Sequence, residues 1–360
     1  MRTSVIPKRM DMKRLGNVWD KIIDRDNLVL AFNKAAKGKR HISAVRRVER
    51  NLDYHIDKLQ QLLTSGNYKT APYRASVVYE PKRRVIHSLP FFPDRIVHHA
   101  ILNVIGDHWD SLFIHDSYAC RKNKGQHAGS LRCMEMVRRN NYVLKCDISK
   151  FYHSIPHDRL KQVIRKKLKD KKTLALLDEI IDSSYSCEVL VPGHGVPIGN
   201  LVSQWLGNLY LNELDMLIKH KYHIKDYVRY CDDFVIFHDD KKVLRSIAYE
   251  LEEFLDKELH LRFSKCELYP VGHGVDYLGY RHFKTHILVR KSTAKRIRKR
   301  MRHIKSCIDS GRINVRKFLG QVDSAMGWLM WANSYHLKLS TDILNIRNTL
   351  YEYKQRKEIQ

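Results

Sequence analysis

Between residues 45 and 63, Val48, Leu52, Ile56, Leu59 and Leu63 recur three or four positions apart, a spacing that lines apolar side chains along one helix face. With the apolar-rich segment Asn27–Ala36 ahead of it, this predicts a helical extension over residues 1–70. The pattern then changes. Ala75, Val77 and Tyr79 alternate before the cationic cluster Lys82-Arg83-Arg84, which is strand periodicity, and helical spacing returns over Asp94–Ile105. Tyr142–Cys146 is a short apolar strand ending at Asp147, followed by helical stretches at His157–Lys169 and Leu174–Ser183. The turn-rich run Pro192–Gly199 leads into a long helix reaching Lys219. Tyr227–Phe237 reads as two strands around a tight turn at Cys231-Asp232. Val243, Leu244, Ile247, Leu251, Phe254 and Leu255 mark one face of an amphipathic helix, and Leu261–Tyr269 and Val275–Val289 are β-rich.

That β-α-α-β-β-α-β order predicts an α+β chain centred on a split βαβ, ferredoxin-like sheet with helices on one face. The expected organisation is a helical extension (1–70), a strand-and-helix region (71–142), the sheet region (143–289, with a helical insertion near 160–200) and a basic helical region (290–360).

Composition narrows the function classes. A 43% hydrophobic, 10% aromatic chain of 360 residues is not a disordered one and suits two or three packed subdomains. The 66 Lys and Arg against 39 acidic residues give a net charge of +27. A field of that sign draws polyanions, nucleic acid first and an anionic membrane second. Residues 281–320 alone hold 14 cations and one acid, Asp309, more than solubility asks of a helical face. Apolar runs such as Leu28–Phe32 are too short to span a bilayer, and MRTSVIPKRM lacks the apolar core of a secretory signal. The expectation is a cytoplasmic protein with no membrane partner. Seven widely spaced cysteines with no CxxC pair read as reduced thiols, and the 20 histidines show no metal-ligand spacing.

The chemistry concentrates in carboxylates. Asp232 and Asp233 adjoin at a turn flanked by Tyr227, Val228, Tyr230, Phe234, Val235 and Ile236. A hairpin turn favours Asp on its own account. Two adjacent carboxylates in a partly dry setting also repel each other, and a divalent cation relieves that repulsion. A split βαβ sheet would set Asp147 beside the hairpin, and three carboxylates at one sheet end suit two Mg²⁺ ions about 4 Å apart, with Mn²⁺ an acceptable substitute. One ion would sharpen an attacking hydroxyl while the other steadied a leaving pyrophosphate.

Seven segments in order carry a family resemblance: Tyr73–Ala100, Ser117–Gly129 (SYACRKNKGQHAG), Lys145–Pro156 (KCDISKFYHSIP), Gly195–Gln204 (GVPIGNLVSQ), Tyr230–Asp233 (YCDD), Leu261–Glu267 (LRFSKCE) and Val275–Tyr280 (VDYLGY). Together they resemble a reverse transcriptase of the prokaryotic, group II intron-like superfamily. Pro197-Ile198-Gly199 and Ser203-Gln204, where that superfamily usually shows Pro-Gln-Gly and Ser-Pro, together with SYACRxxKGxHAG, resemble the enzymes of diversity-generating retroelements. The resemblance implies a right-hand polymerase with fingers (71–142), ferredoxin-like palm (143–289, with a fingers-like insertion near 160–200) and helical thumb (290–360). Its implied product is adenine-mutagenised cDNA copied from a template RNA. Implied partners are that RNA, the RNA/DNA hybrid, dNTPs and a small basic accessory protein.

The same resemblance assigns roles. Asp147, Asp232, Asp233 and the Ile148 carbonyl would hold the metals, and Lys265 would protonate pyrophosphate. Lys82 and Arg84 would grip the triphosphate, and Tyr152 would exclude a 2′-hydroxyl. Ile198 would lie at the nascent base pair, and Gly199, Ser203, Gln204 and Asn208 would face the template-primer. By residue type alone, other readings stay open: Tyr152 as a core aromatic beside Phe151, Ile198 as a packing residue, and Lys265, Lys82 and Arg84 as exposed cations. Trp205, Leu209 and Leu211, and the aromatics Trp328, Trp331 and Tyr335, are expected to pack. A retron or phage-defence reverse transcriptase is the nearest rival, and a catalytically silent RNA-binding scaffold the more distant one.

Overall fold

The computed structural model describes residues 14–79, 83–186 and 191–359. The chain begins with helices Trp19–Ile23, Arg25–Ala36, Ser43–Arg50 and Leu52–Thr64. The apolar spacing of residues 45–63 runs through two of them, because the backbone leaves helical geometry at Asn51. Leu28, Ala31, Phe32 and Ala35 bury one face of the second helix against the long helix Ile96–Leu112. There Asn27 Nδ2 donates to the Ala100 carbonyl at 3.1 Å. Strands β1 (Arg74–Val78) and β2 (Arg84–Ser88) form an antiparallel hairpin whose first strand is exposed along its whole length.

The central sheet contains β3 (Tyr142–Ile148), β4 (Tyr227–Tyr230), β5 (Asp233–His238) and β6 (Phe263–Pro270). Its order is β4-β5-β3-β6 and every pair is antiparallel. This is the split βαβ arrangement that the element order predicts. The expectation of helices on one face only needs correcting. Leu144, Cys146, Ile148, Phe234 and Ile236 join one core with Leu244, Ile247, Leu251 and Leu255 of helix Lys241–Leu259. Val143, Val235 and Phe237 point the other way, into a second core with Cys133, Met136 and Val137 of helix Gln126–Arg139. Alternate residues of β3 and β5 are apolar on both faces, and a sheet apolar on both faces must be covered on both.

Strands β7 (Val275–Tyr277), β8 (Tyr280–His282) and β9 (Ile287–Val289) make a separate three-stranded sheet rather than extending the central one. Beyond it, helices Lys291–Asp309, Val315–Leu329, Tyr335–Thr341 and Ile343–Ile359 enclose a core of their own, including Ile297, Met301, Ile304, Phe318, Val322, Leu329, Ile343 and Leu350. Gly279 lets the two regions meet: its φ is +83°, and a Cβ there would lie 2.6 Å from the Trp328 ring. Trp331 stacks on His127 at 4.9 Å. Tyr335, expected to pack, is 65% exposed. Among the described residues no helix is long and apolar enough to cross a membrane.

Candidate active site

Strand register brings the carboxylates to one end of the sheet. Asp147 of β3 pairs directly with Asp233 of β5. Asp232 lies in the turn just before Asp233, where its carbonyl accepts the Ile148 N–H at 3.3 Å. The turn is built on Cys231, whose φ is +53°.

The three acids sit in an electrostatically unfavourable setting. Burial pushes the Asp233 carboxyl up to about 7; Lys145 works against that shift, while Asp147 and Asp232 add to it. Burial also raises Asp232, with Asp147 reinforcing and Arg84 opposing. Asp233 Oδ1 is buried with no hydrogen-bond partner. Among the described residues, no three carboxylate, imidazole or thiol groups converge closely enough to ligate an ion as they stand. The donor chemistry fits a hard divalent cation all the same: the acids offer only oxygens, one of those oxygens is orphaned, and positive charge would remove their repulsion.

The other sequence-predicted residues divide. Lys265 pairs in register with Asp147 and is exposed. The Tyr152 hydroxyl donates to Cys231 Sγ at 3.6 Å, and its half-buried ring lies against Gly207, where a Cβ would sit 2.9 Å from Tyr152 Cε1. Arg84 is exposed on β2 and acts on Asp232 through its charge. Lys82 lies outside the described residues. Half-buried Ile198 is tied to the same strand, its carbonyl accepting the His87 N–H at 2.9 Å. Gly199 follows at φ +117°, and a Cβ there would meet Ile86 Cγ2 at 2.7 Å, so this glycine permits the loop's approach to β2.

In the helix Leu201–Met216, Gln204 is half-buried and Ser203 is buried. Leu209 and Leu211 pack as expected, and Trp205 lies 6.1 Å from Phe113. Asn208 requires correction as a template-primer residue. It is buried, and both ends of its amide are used inside the protein: Nδ2 donates to the Ala119 carbonyl at 2.8 Å, and Oδ1 accepts from Arg229 Nη1 at 3.2 Å.

That contact leads to a network the sequence did not disclose. Arg229 and Asp215 are fully buried and joined by two hydrogen bonds of 2.7 and 2.6 Å. The Tyr227 hydroxyl donates to the same carboxylate at 2.6 Å. Arg229 Nη1 also donates to the Cys231 carbonyl at 3.0 Å, so a satisfied buried ion pair props the turn that carries Asp232 from behind. One signal was available: charged residues set inside two apolar stretches, Glu213 and Asp215 in LYLNELDM and Arg229 in YVRY, since buried charges are paired ones. Ser264 was also missed; its hydroxyl donates to an Asp147 carboxylate oxygen and to the Asp147 carbonyl, the latter at 3.1 Å.

With the geometry established, comparison with known proteins supplies the lineage. Residues 76–282 match the family model described as reverse transcriptase (RNA-dependent DNA polymerase). The chain is 27% identical over 280 residues to Protein YkfC of Escherichia coli strain K12, an overlap of 65% of this chain and 72% of that one. It is 22% identical over 210 residues to the group II intron-encoded protein LtrA of Lactococcus lactis subsp. cremoris, covering 56% of this chain and 35% of LtrA. It is 25% identical over 210 residues to an uncharacterized 91 kDa protein in the cob intron of Schizosaccharomyces pombe, covering 56% of this chain and 26% of that protein. The chain thus spans most of YkfC and only about a third or a quarter of these two intron proteins. The matched segment covers more than half of the chain and holds Asp147, Asp232 and Asp233, and the chain accordingly belongs to the reverse transcriptase family and carries its RNA-dependent DNA polymerase domain.

Proposed function

We propose that this chain is a right-hand polymerase that copies a retroelement's template RNA into error-prone, adenine-mutagenised cDNA. The observation that carries the polymerase reading is the register that sets Asp147 against Asp233, with Asp232 in the adjoining turn. Bound at these acids, two Mg²⁺ ions would activate the primer hydroxyl and stabilise pyrophosphate. The protein's own residues do the rest. Arg84 presents a planar cation suited to triphosphate oxygens. Tyr152 sets an aromatic edge under the sugar, and Lys265, on the strand beside Asp147, supplies a proton to the leaving group. In this reading β1, β2 and the adjoining helices are fingers, the four-stranded sheet is a ferredoxin-like palm, and the helices after Arg290 are a thumb that tracks an RNA/DNA hybrid through phosphate contacts.

Ile198 supports the mutagenic subtype. A branched hydrocarbon offers no hydrogen bond at the nascent pair, so shape alone judges the match. A small basic accessory protein, the element RNA and a cytoplasmic setting complete the proposal. The intron-encoded relatives favour the broader superfamily, so a retron or phage-defence enzyme is the second reading.

Primer extension on an adenine-containing RNA with Mg²⁺ and four dNTPs, read by sequencing, separates these outcomes. Errors concentrated opposite adenine, reduced by Ile198→Gln, support the mutagenic enzyme. Accurate product moves the assignment to the second reading. Absence of product with RNA and partner protein present leaves a non-catalytic RNA-binding scaffold.

A further inference from the structure

The loop that carries Ile198 is fastened at both ends, and a buried imidazole makes one of the fastenings. Residues 152–157 hold its first half through the backbone. The Gly195 N–H donates to the Ile155 carbonyl at 2.7 Å, the Val196 N–H donates to the Tyr152 carbonyl at 2.7 Å, and the Gly193 carbonyl accepts the His157 N–H at 2.9 Å. At the far end the Ile198 carbonyl accepts the His87 N–H of β2 at 2.9 Å. Only Val196 and Pro197 lie between Gly195 and Ile198; both are buried, and the proline ring fixes its own φ. So short and stiff a span passes a displacement at Gly195 on to Ile198.

His157 supplies the side-chain fastening. It opens the helix His157–Arg165 and is 5% exposed. Its Nε2 lies 2.8 Å from the Gly195 carbonyl oxygen. A carbonyl only accepts, so Nε2 carries the hydrogen and donates. The ring is itself held: Ser184 Oγ lies 3.1 Å from Nε2, and Asp182 Oδ1 lies 3.4 Å from Nδ1. Lys161 Nζ fixes that carboxylate through both oxygens, at 2.6 and 2.7 Å. Serine, imidazole and carboxylate together have the composition of a hydrolytic triad. Here Ser184 is buried, and Nε2, already donating to a carbonyl, has no lone pair with which to take a serine proton. A donor held on several sides and aimed at a loop carbonyl is a support.

We propose that His157 is a positioning residue for base-pair discrimination: by holding the Gly195 carbonyl it sets where Ile198 meets the nascent pair. This role rests on the polymerase reading and on Ile198 lying at that pair. With a branched hydrocarbon there, shape judges the match, and a shape gauge works only while its surface stays in place. Without the donor the loop shifts between its backbone bonds, and mispairs fit more easily while correct pairs are still extended.

Two amide substitutions separate positioning from packing. His157→Gln returns an N–H near the place of Nε2, whereas the amide of His157→Asn ends short of it. Both variants are compared with the unaltered full-length protein in two measurements. Hydrogen exchange of the protein alone, read by mass spectrometry, should quicken over residues 191–200 and 84–88 in His157→Asn while the central sheet is unchanged, and His157→Gln should match the unaltered protein. In single-nucleotide incorporation on an RNA template, the ratio of correct to incorrect kcat/KM should fall about fivefold in His157→Asn, the size expected of one neutral hydrogen bond. His157→Gln should restore that ratio. In an Ile198→Ala background, His157→Asn should leave the ratio where it was, because the effect runs through that side chain. Unaltered exchange in His157→Asn, equal losses in both variants, or a slower rate with intact discrimination would overturn the proposal. An unaltered protein that extends no primer, with RNA and partner protein present, sinks the polymerase reading and the claim about discrimination with it. Hydrogen exchange then still decides whether His157 holds the loop.

Discussion

At the scale of single residues, the site is organised against its own stability. Asp233 is held at about 7 chiefly by burial, far above an ordinary aspartate. Its folded-state pKa exceeds its unfolded one, so the metal-free folded protein binds the extra proton between those values and loses stability as pH rises through the window toward about 7. Asp233→Asn should therefore abolish primer extension yet raise the melting temperature in EDTA at pH 8, with the gain vanishing near pH 4; an unchanged melting temperature would contradict the burial argument. Asp215 shows the opposite economy. Asp215→Asn strands the fully buried Arg229 guanidinium without its counter-charge, which should cost about 3 kcal/mol or more in urea unfolding. The meeting of the three acids at one sheet end was legible because Asp232 and Asp233 adjoin in an apolar frame and Asp147 ends an apolar strand, both local signals. Asp215 and Arg229 were not, because their pairing spans 14 residues and a change of element. Asn208 was misplaced for a related reason: in a helix buried on nearly every side, periodicity does not say which polar residue faces outward.

At the scale of elements, the strand order followed from the sequence because β3, β4 and β5 are short, largely apolar and bounded by turns, with the more polar β6 following the amphipathic helix. The second covering layer did not follow. Helix Gln126–Arg139 precedes the sheet in the chain, and nothing local to it announces that it packs on the face away from the other helices. Close approach of the short helix Phe151–Ser154 to helix Leu201–Met216 also explains Gly207, which leaves room for the Tyr152 ring. Gly207→Ala should push that ring toward the nucleotide. The expected outcome is a lower kcat/KM for dNTPs and a several-fold change in the dNTP-to-rNTP ratio, measured by single-nucleotide incorporation. An unaltered ratio would show that Tyr152 does not sense the sugar.

At the scale of the whole molecule, charge is the organising quantity. The +27 excess makes hybrid binding steeply salt-dependent, and the exposed cations of helix Lys291–Asp309 are the natural source. Replacing Lys299 by Gln should weaken binding evenly across sequences and reduce the slope of log K against log salt by about one; a slope left intact would place the contact elsewhere. The sequence announced this region through its cation count, but its separate core became visible only with the helices packed.

That separate core has a mechanical corollary. The C-terminal helices are fastened to the rest by a small set of contacts, among them Trp328 over Gly279, the Asn333 N–H on the Ile287 carbonyl and the ion pair of Arg290 with Asp276. None of these hydrogen-bonds to the three acids, and Arg290 alone reaches them, through its charge on Asp233. On the proposed reading, a clasp with its own interior would loosen and regrip without unfolding the sheet that carries the acids, so how far the enzyme travels along a template and how fast it adds each nucleotide would be separately adjustable properties.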